Sequence, residues 1–329
     1  MDNIQRSFSK IRDVDLKILS ELNDENLFNV CLTNRYTRWL CNNETFWRDR
    51  FYSRFGKDAP GPINRKWKNY YLLIIHYLAK YGNFSNLIVD LFENSSNTDV
   101  IMFFLKYFTE HILLGDYDLY LFHAARNQNL AMIKHLLSLD ANKNDGLEGA
   151  AASGDMTLVE YFVSLGATNW DTALYYSAKH AKSLSQHEKV FDYLIGKGAN
   201  IFHGLAGAAA GGNLDILKHF INLGANDFQV ALEAASDFNK YEIAKYLLSL
   251  PDIQFDLDMA VLIAIEHVNI DLIKLFIEHG ANNFELYIEG VQTEIDAFME
   301  EEDYEKNEQA QQHVADLNEV LQLFYSYLH

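Results

Sequence analysis

A phrase of about twenty residues recurs along the middle of this chain, and a fixed internal period obliges neighbouring units to bury the same face against one another. It reads AAASGDMTLVEYFVSLGATN from Ala150, AAAGGNLDILKHFINLGAND from Ala208, AARNQNLAMIKHLLSLDANK from Ala124 and IEHVNIDLIKLFIEHGANN from Ile265. Weaker copies, EKVFDYLIGKGAN ending at Asn200 and YEIAKYLLSLPDI ending at Ile253, fill the gaps. Ile133, Val159, Phe191, Leu217, Ala244 and Ile273 form one apolar column. Leu137, Val163, Ile195, Ile221, Leu248 and Ile277 form a second, one helical turn further on. Gly166, Gly198, Gly224 and Gly280 follow, where a helix would stop on a left-handed residue. Small residues precede each copy, where two helices must approach closely. The unit predicted is helix, tight turn, helix, glycine stop.

Gly198 to Gly224 spans 26 residues, and Gly224 to Gly280 spans 56, or two units of 28. Gly166 to Gly198 spans 32, and a polar insert from roughly Ala181 to Gln186 is expected to lengthen one inter-helix turn. With 3 prolines, 17 glycines and no two-residue alternation, the chain reads as all-α. At 49% hydrophobic and 14% aromatic it has ample material for a core.

Basic residues number 27 against 46 acidic ones, a formal net charge of -19, so nucleic acid and membrane surfaces are not the expected partners. The two cysteines, Cys31 and Cys41, are not expected to build a disulfide framework or a four-ligand zinc site. The opening MDNIQRSFSK carries no signal-type apolar stretch, and no run reaches membrane-spanning length. Together these lead to the expectation of a reducing, intracellular compartment. No phosphate-binding loop and no H-E-x-x-H stands in the sequence. His135 and His219 share a repeat position with Tyr161, Tyr193 and Tyr246, which marks packing rather than metal ligation. No cofactor, metal or catalytic residue is expected, and the chain reads as a non-enzyme.

The repeat resembles the ankyrin repeat, whose second half reads AAxxGHLEVVKLLLEAGA. Ala150 to Ala167 and Ala208 to Ala225 follow that phrase position by position, and the likeness runs from about Asp116 to Phe284. A degenerate further copy is expected at Leu87 to Glu110, with Val100, Ile101, Phe104 and Leu105 on its second helix. The family's Thr-Pro-Leu-His start is missing, and the unit is shorter than the family's usual length of about 33 residues. Short-unit arrays of this kind look like those of large DNA viruses. The resemblance implies protein binding through the exposed face of the first helices.

Ahead of the array, Val14 to Phe55 carries Leu16, Leu19 and Leu22 on one helical stripe, an Asn23-Asp24 turn, then Leu27, Val30, Cys31, Trp39, Leu40 and Phe46-Trp47. This order is similar to an F-box, a three-helix module that docks on the Skp1 adaptor of cullin-RING ubiquitin ligases. Lys10-Ile11-Arg12-Asp13 stands where that family has Leu-Pro-x-Glu. The resemblance implies a Skp1-like adaptor contact through Ile11, Leu16, Leu19 and Leu22, and a viral protein acting in the host cytoplasm or nucleus. Arg65 to Tyr81 is expected as a bridging apolar helix. After the array comes the acidic run Glu300 to Asp303. Val314, Leu317, Val320, Leu321, Phe324 and Leu328 then return to helical spacing, as a capping helix would.

The expected fold is an all-α, short-unit ankyrin-type solenoid with a three-helix F-box-like module and a C-terminal capping helix. Its expected parts are 10–56 for the module, 57–115 for bridging helices and a degenerate repeat, 116–284 for about six repeats, and 285–329 for the acidic turn and cap. The expected function is recruitment of a target protein to a Skp1/cullin ligase, with a scaffold or competitive binder as the alternative, acting as a monomer. Arg126, Asn127, Lys179, His180, Asp237, Glu266 and His267 flank the small pair of each first helix and are the candidate target-binding residues.

Overall fold

The computed structural model describes residues 12–33, 35–80, 91, 98–107, 116–300 and 307–328. Two compact units make up the chain, one formed by Met1–Ala124 with Asn129–Ala141, the other by Ala125–Gln128 with Asn142–His329. Among the described residues all regular structure is helical.

In the first unit the N-terminal segment forms α1 (Arg12–Ser20), α2 (Asp24–Thr33), α3 (Arg35–Leu40) and α4 (Glu44–Phe55), one helix more than the three expected. The additional turn of chain, α3, is held to α1 by Tyr36, whose hydroxyl donates to the buried Asp15 carboxylate at 2.7 Å. Asn23 caps α2 as anticipated, accepting from the Asn26 amide at 2.8 Å. Asn43 caps α4 by accepting from the amides of Thr45 and Phe46. Cys31 and Cys41 form a disulfide with Cα atoms 5.7 Å apart. One cross-link is no framework, but it bears against the expectation of a reducing compartment, since such bonds persist in oxidising ones. Trp39, read as part of the apolar pattern, is 56% exposed.

α5 (Trp67–Lys80) covers the bridging segment and α6 (Thr98–Tyr107) follows. Phe51 is fully buried, with ring centroids 5.1 to 5.6 Å from Phe55, Trp67, Tyr70 and Phe103. The aromatic density of α5 is therefore core packing. Of the degenerate copy, 87–90, 92–97, 108–110 and the Leu105 side chain lie outside the described residues. Val100, Ile101 and Phe104 are buried on α6. The first clear copy forms α7 (Asp116–Arg126) and α8 (Leu130–Ser138).

The second unit stacks helix pairs. They are α9 (Lys143–Ser153) with α10 (Met156–Ser164), α11 (Trp170–His180) with α12 (Leu184–Gly196), and α13 (Ile201–Gly211) with α14 (Leu214–Asn222). α15 (Phe228–Asp237) with α16 (Tyr241–Leu248) and α17 (Leu257–Glu266) with α18 (Ile270–Glu278) follow. α19 (Phe284–Met299) and α20 (Glu308–Leu328) close the stack. Each first helix packs on the next, from α9 through α19, and each leans on its own second helix. That is a helical solenoid, in which every unit contacts its neighbours and the core runs on without interruption.

The first apolar column is buried throughout, at 1% exposure or less. The second is only half-buried. The fully buried partners lie one residue earlier, at Leu136, Phe162, Leu194, Phe220, Leu247 and Phe276. Three- and four-residue steps both stay on one side of a helix, so packing against the paired first helix decides which of two adjacent apolar residues turns inward. Phe162 and Phe220 fill the space that a Cβ at Gly146 and Gly204 would need, so those glycines are sockets for rings. Burying one such ring contributes about 1.5–3 kcal/mol.

The glycine stops are as expected: Gly166, Gly198, Gly224 and Gly280 have φ between 88° and 110°. The amide of the following alanine reaches back five residues, as in Ala167 to Phe162 O at 3.1 Å and Ala225 to Phe220 O at 3.0 Å. The insert behaves differently from its expectation. Only Ala181–Ser183 separates α11 from α12, and the rest adds a helical turn to the front of α12. That turn buries His187, whose Nε2 lies 3.3 Å from Ala152 O. In α20 the predicted stripe is buried except Leu328, which is 49% exposed.

Candidate protein-binding surfaces

Two surfaces carry the candidate residues, one in each unit. The first is a cleft of about 560 Å³ beside α1 and α4. Leu16, Leu22 and Phe46 give it apolar wall, and Lys17, Arg50 and Arg54 give it positive charge. Arg50 and Arg54 stand four apart on one face of α4 and both reach Asp24. Arg50 Nη2 donates to Asp24 Oδ1 and to Leu22 O, each at 2.7 Å, and Tyr71 Oη donates to Asp24 Oδ1 at 2.8 Å. Burial pushes the Asp24 carboxyl up, but the hydrogen bonds from Arg50 and Tyr71 and the two guanidinium charges outweigh it and hold the group below its ordinary range.

Of the four residues assigned to an adaptor contact, Leu16 and Leu22 line this cleft. Leu19 is fully buried and belongs to the core beneath it. A side chain with no exposed surface meets no partner while the helix stays docked. Ile11 lies outside the described residues. The arginine pair was legible only as RDRFYSR, where spacing alone does not show that both side chains turn onto one carboxylate.

The second surface is the row of first-helix ends in the second unit. Lys179 and His180 close α11, Asp237 closes α15, and Glu266 and His267 end α17. Lys179 runs over the chain of α13 to place its ammonium 3.5 Å from the centre of the Phe238 ring and 5.6 Å from that of Tyr175. Burial lowers the Lys179 pKa, Asp237 opposes the shift, and Lys240 and Arg126 add to it. The crossing is close because α13 has glycines where it meets α11. A Cβ on Gly207 would lie 3.0 Å from Tyr175 Cα, and one on Gly211 3.0 Å from Lys179 Cα.

His267 Nε2 sits 3.0 Å from Asp237 Oδ1, and the His180 ring stacks on Tyr176 at 6.2 Å. Asp237, Glu266 and His267 are exposed, Lys179 and His180 half-buried, Arg126 half-buried and Asn127 exposed. Deeper on the same helices, Glu148 is buried and accepts from Asn169 Nδ2 at 2.7 Å. Burial pushes its carboxyl up to about 7, Asp145 adds to the rise, and the Asn169 bond restrains it. Phe238 and Tyr175 were missed in the sequence because they occupy columns that are charged or small in neighbouring copies.

Among the described residues no group of histidine, cysteine and carboxylate side chains is placed to hold a metal ion. Among them, too, no helix is long and apolar enough to cross a membrane.

No protein-family model matches the chain. No curated protein matches it either. Among solved structures it is similar to the crystal structure of human ASB11 ankyrin repeat domain, at 21% sequence identity and a TM-score of 0.33, over 49% of this chain and 84% of that one.

Proposed function

We propose that this protein is a non-catalytic adaptor, in which the second unit holds a target protein on its first-helix row and the N-terminal helices dock on a Skp1-like adaptor of a cullin-RING ligase. One observation supports the binding reading most. On each first helix the buried column is nearly uniform, Leu147, Leu174, Leu205, Leu232 and Val261, while the last-turn residues change from small to basic to acidic. The stack needs the buried column for its stability and leaves the last-turn register free to vary, and a surface shaped to a partner would use that freedom. Holding two partners on one chain would make their encounter intramolecular and raise its effective concentration. A ligase link would place the protein in the host cytoplasm or nucleus.

The adaptor half rests on the F-box resemblance and on the place of the half-buried Leu16 and Leu22 in the wall of the cleft. Its test is capture of purified Skp1 by the full chain, compared with a Leu16→Asp/Leu22→Asp variant. Both sites line the cleft rather than the core, so the variant should stay folded. Retention by wild type and loss in the variant supports the reading. No retention by wild type refutes it and leaves a scaffold or competitive binder with no ligase link. Ile11, standing where the resembled module has proline, and the Cys31–Cys41 disulfide favour that second reading.

A further inference from the structure

The last three first helices carry a chemistry that the rest of the row lacks. Val230 on α15, Met259 on α17 and Leu286 on α19 share one register, each directly before the buried Ala231, Ala260 and Tyr287. Val230 and Met259 are 44% and 46% exposed. The same register in earlier helices holds Asp145, Thr172 and His203. Three residues on come Glu233, Leu262 and Glu289, and seven on come Asp237, Glu266 and Thr293. Steps of three and seven keep these on one helix face, so an apolar row runs beside an acidic one.

Between α17 and α19 this face opens into a groove of about 310 Å³ with Leu262, Ile265 and Leu286 in its floor. Gly290 gives it depth, because a Cβ there would sit 2.8 Å from Leu262 Cδ2. Glu266, Glu289 and Glu294 stand at its rim. Among the described residues none of these three carboxylates has an ion-pair or side-chain hydrogen-bond partner. Their surroundings offer little compensation: from Leu257 to Met299 the sequence has eight acidic residues and one basic one, Lys274.

We infer that this groove docks a basic segment of the target protein, with an apolar side chain seated over Leu262 and Leu286 and flanking lysine or arginine meeting Glu266, Glu289 and Glu294. The inference rests on the reading of the row as a protein-binding surface and names the chemistry of what it takes. Apolar contact supplies seating, and the uncompensated negative rim supplies selection and a fast, salt-sensitive encounter. Adjacent helices lie about 8–10 Å apart, so the stretch from Val230 to Leu286 spans about 16–20 Å, the reach of roughly six extended residues.

The probe is a fluorescein-labelled peptide of about eight residues, two leucines flanked by lysines and arginines, bound to the full chain and read by anisotropy. Gly290→Leu fills the floor without changing charge. Glu266→Gln/Glu289→Gln/Glu294→Gln removes the rim, and Glu160→Gln/Glu188→Gln/Glu242→Gln removes equal charge from exposed positions on second helices. Both groove variants should weaken binding on the order of tenfold, and the second-helix variant should leave it nearly unchanged. Equal loss in the second-helix variant, or equal binding of a peptide with glutamate for every basic residue, would reduce the effect to bulk charge and overturn the inference. So would a shift in sedimentation on filling the groove, which would make a second copy its occupant. Should Gly290→Leu misfold, the charge variants decide alone. If wild type ignores the probe yet still captures Skp1, the basic-segment assignment falls and the adaptor reading stands.

Discussion

Gly207→Ala isolates the closeness of α11 and α13. The new Cβ would sit 2.9 Å from the carbonyl carbon and 3.0 Å from the Cα of Tyr175, with the carbonyl oxygen closer still. These are backbone atoms, which cannot swing aside as a side chain can. Comfortable contact for carbon begins at about 3.5 Å, so the two helices must separate by roughly half an ångström to an ångström. Overpacking of this kind costs about 1–3 kcal/mol, and here the upper end applies because two helices move together. Alanine recovers up to about 1 kcal/mol through its better helix propensity. The net expectation is a loss of about 2 kcal/mol. Gly196→Ala is the matched control: it too is a helical glycine, but its Cβ would meet nothing within 4 Å. That change should be neutral or stabilising by up to about 1 kcal/mol. Urea unfolding of the full chain, followed by helical circular dichroism, measures both. A Gly207→Ala midpoint at or above wild type would refute the close crossing.

Glu148 should make stability depend on pH. Its folded pKa of about 7 lies above the ordinary carboxyl range, so the native state holds a proton that the unfolded chain has released, and the contribution is lost as pH rises from about 4.5 through 7. Glu148→Gln, which still accepts from Asn169, should gain up to about 3 kcal/mol above pH 7 and almost nothing near pH 4; a pH-independent difference would contradict the assignment. Val268 sits at φ 50, where the equivalent residues are Gly154, Gly212 and Asn239, so Val268→Asn should raise stability by about 1 kcal/mol in thermal unfolding. Reducing Cys31–Cys41, which closes a loop of 10 residues, should lower the stability of the first unit by about 3 kcal/mol, read by thermal unfolding with and without reductant.

Much of the second unit was legible because its signals are local and repeated. The first aliphatic column, the glycine stops and the small residues between helices each recur, and repetition separates them from chance. The second column was placed one residue late because Leu137 and Leu136, or Val163 and Phe162, are both apolar, and composition does not say which points inward. The insert was read as loop because it is polar, yet Leu184 to Gln186 extend α12 and seat His187 in the core. In the N-terminal helices, α1 to α4, no repeat was available to check against. Leu19 and Leu16 look alike in the sequence, and only the fold makes one fully buried and leaves the other half-buried in the cleft wall. The α17–α19 groove was invisible for a related reason: Val230, Met259 and Leu286 are ordinary helix residues until the stack brings their registers side by side.

The account depends on first helices lying flank to flank in the second unit. Nuclear Overhauser effects from the α-protons of Gly207 and Gly211, in protein deuterated elsewhere except at tyrosine and lysine, test that directly. Cross-helix signals to the α-protons of Tyr175 and Lys179 are predicted from the 3.0 Å approaches to those Cα atoms. Intrahelical signals from the same glycines with no cross-helix partner would show that the helices do not stack as described.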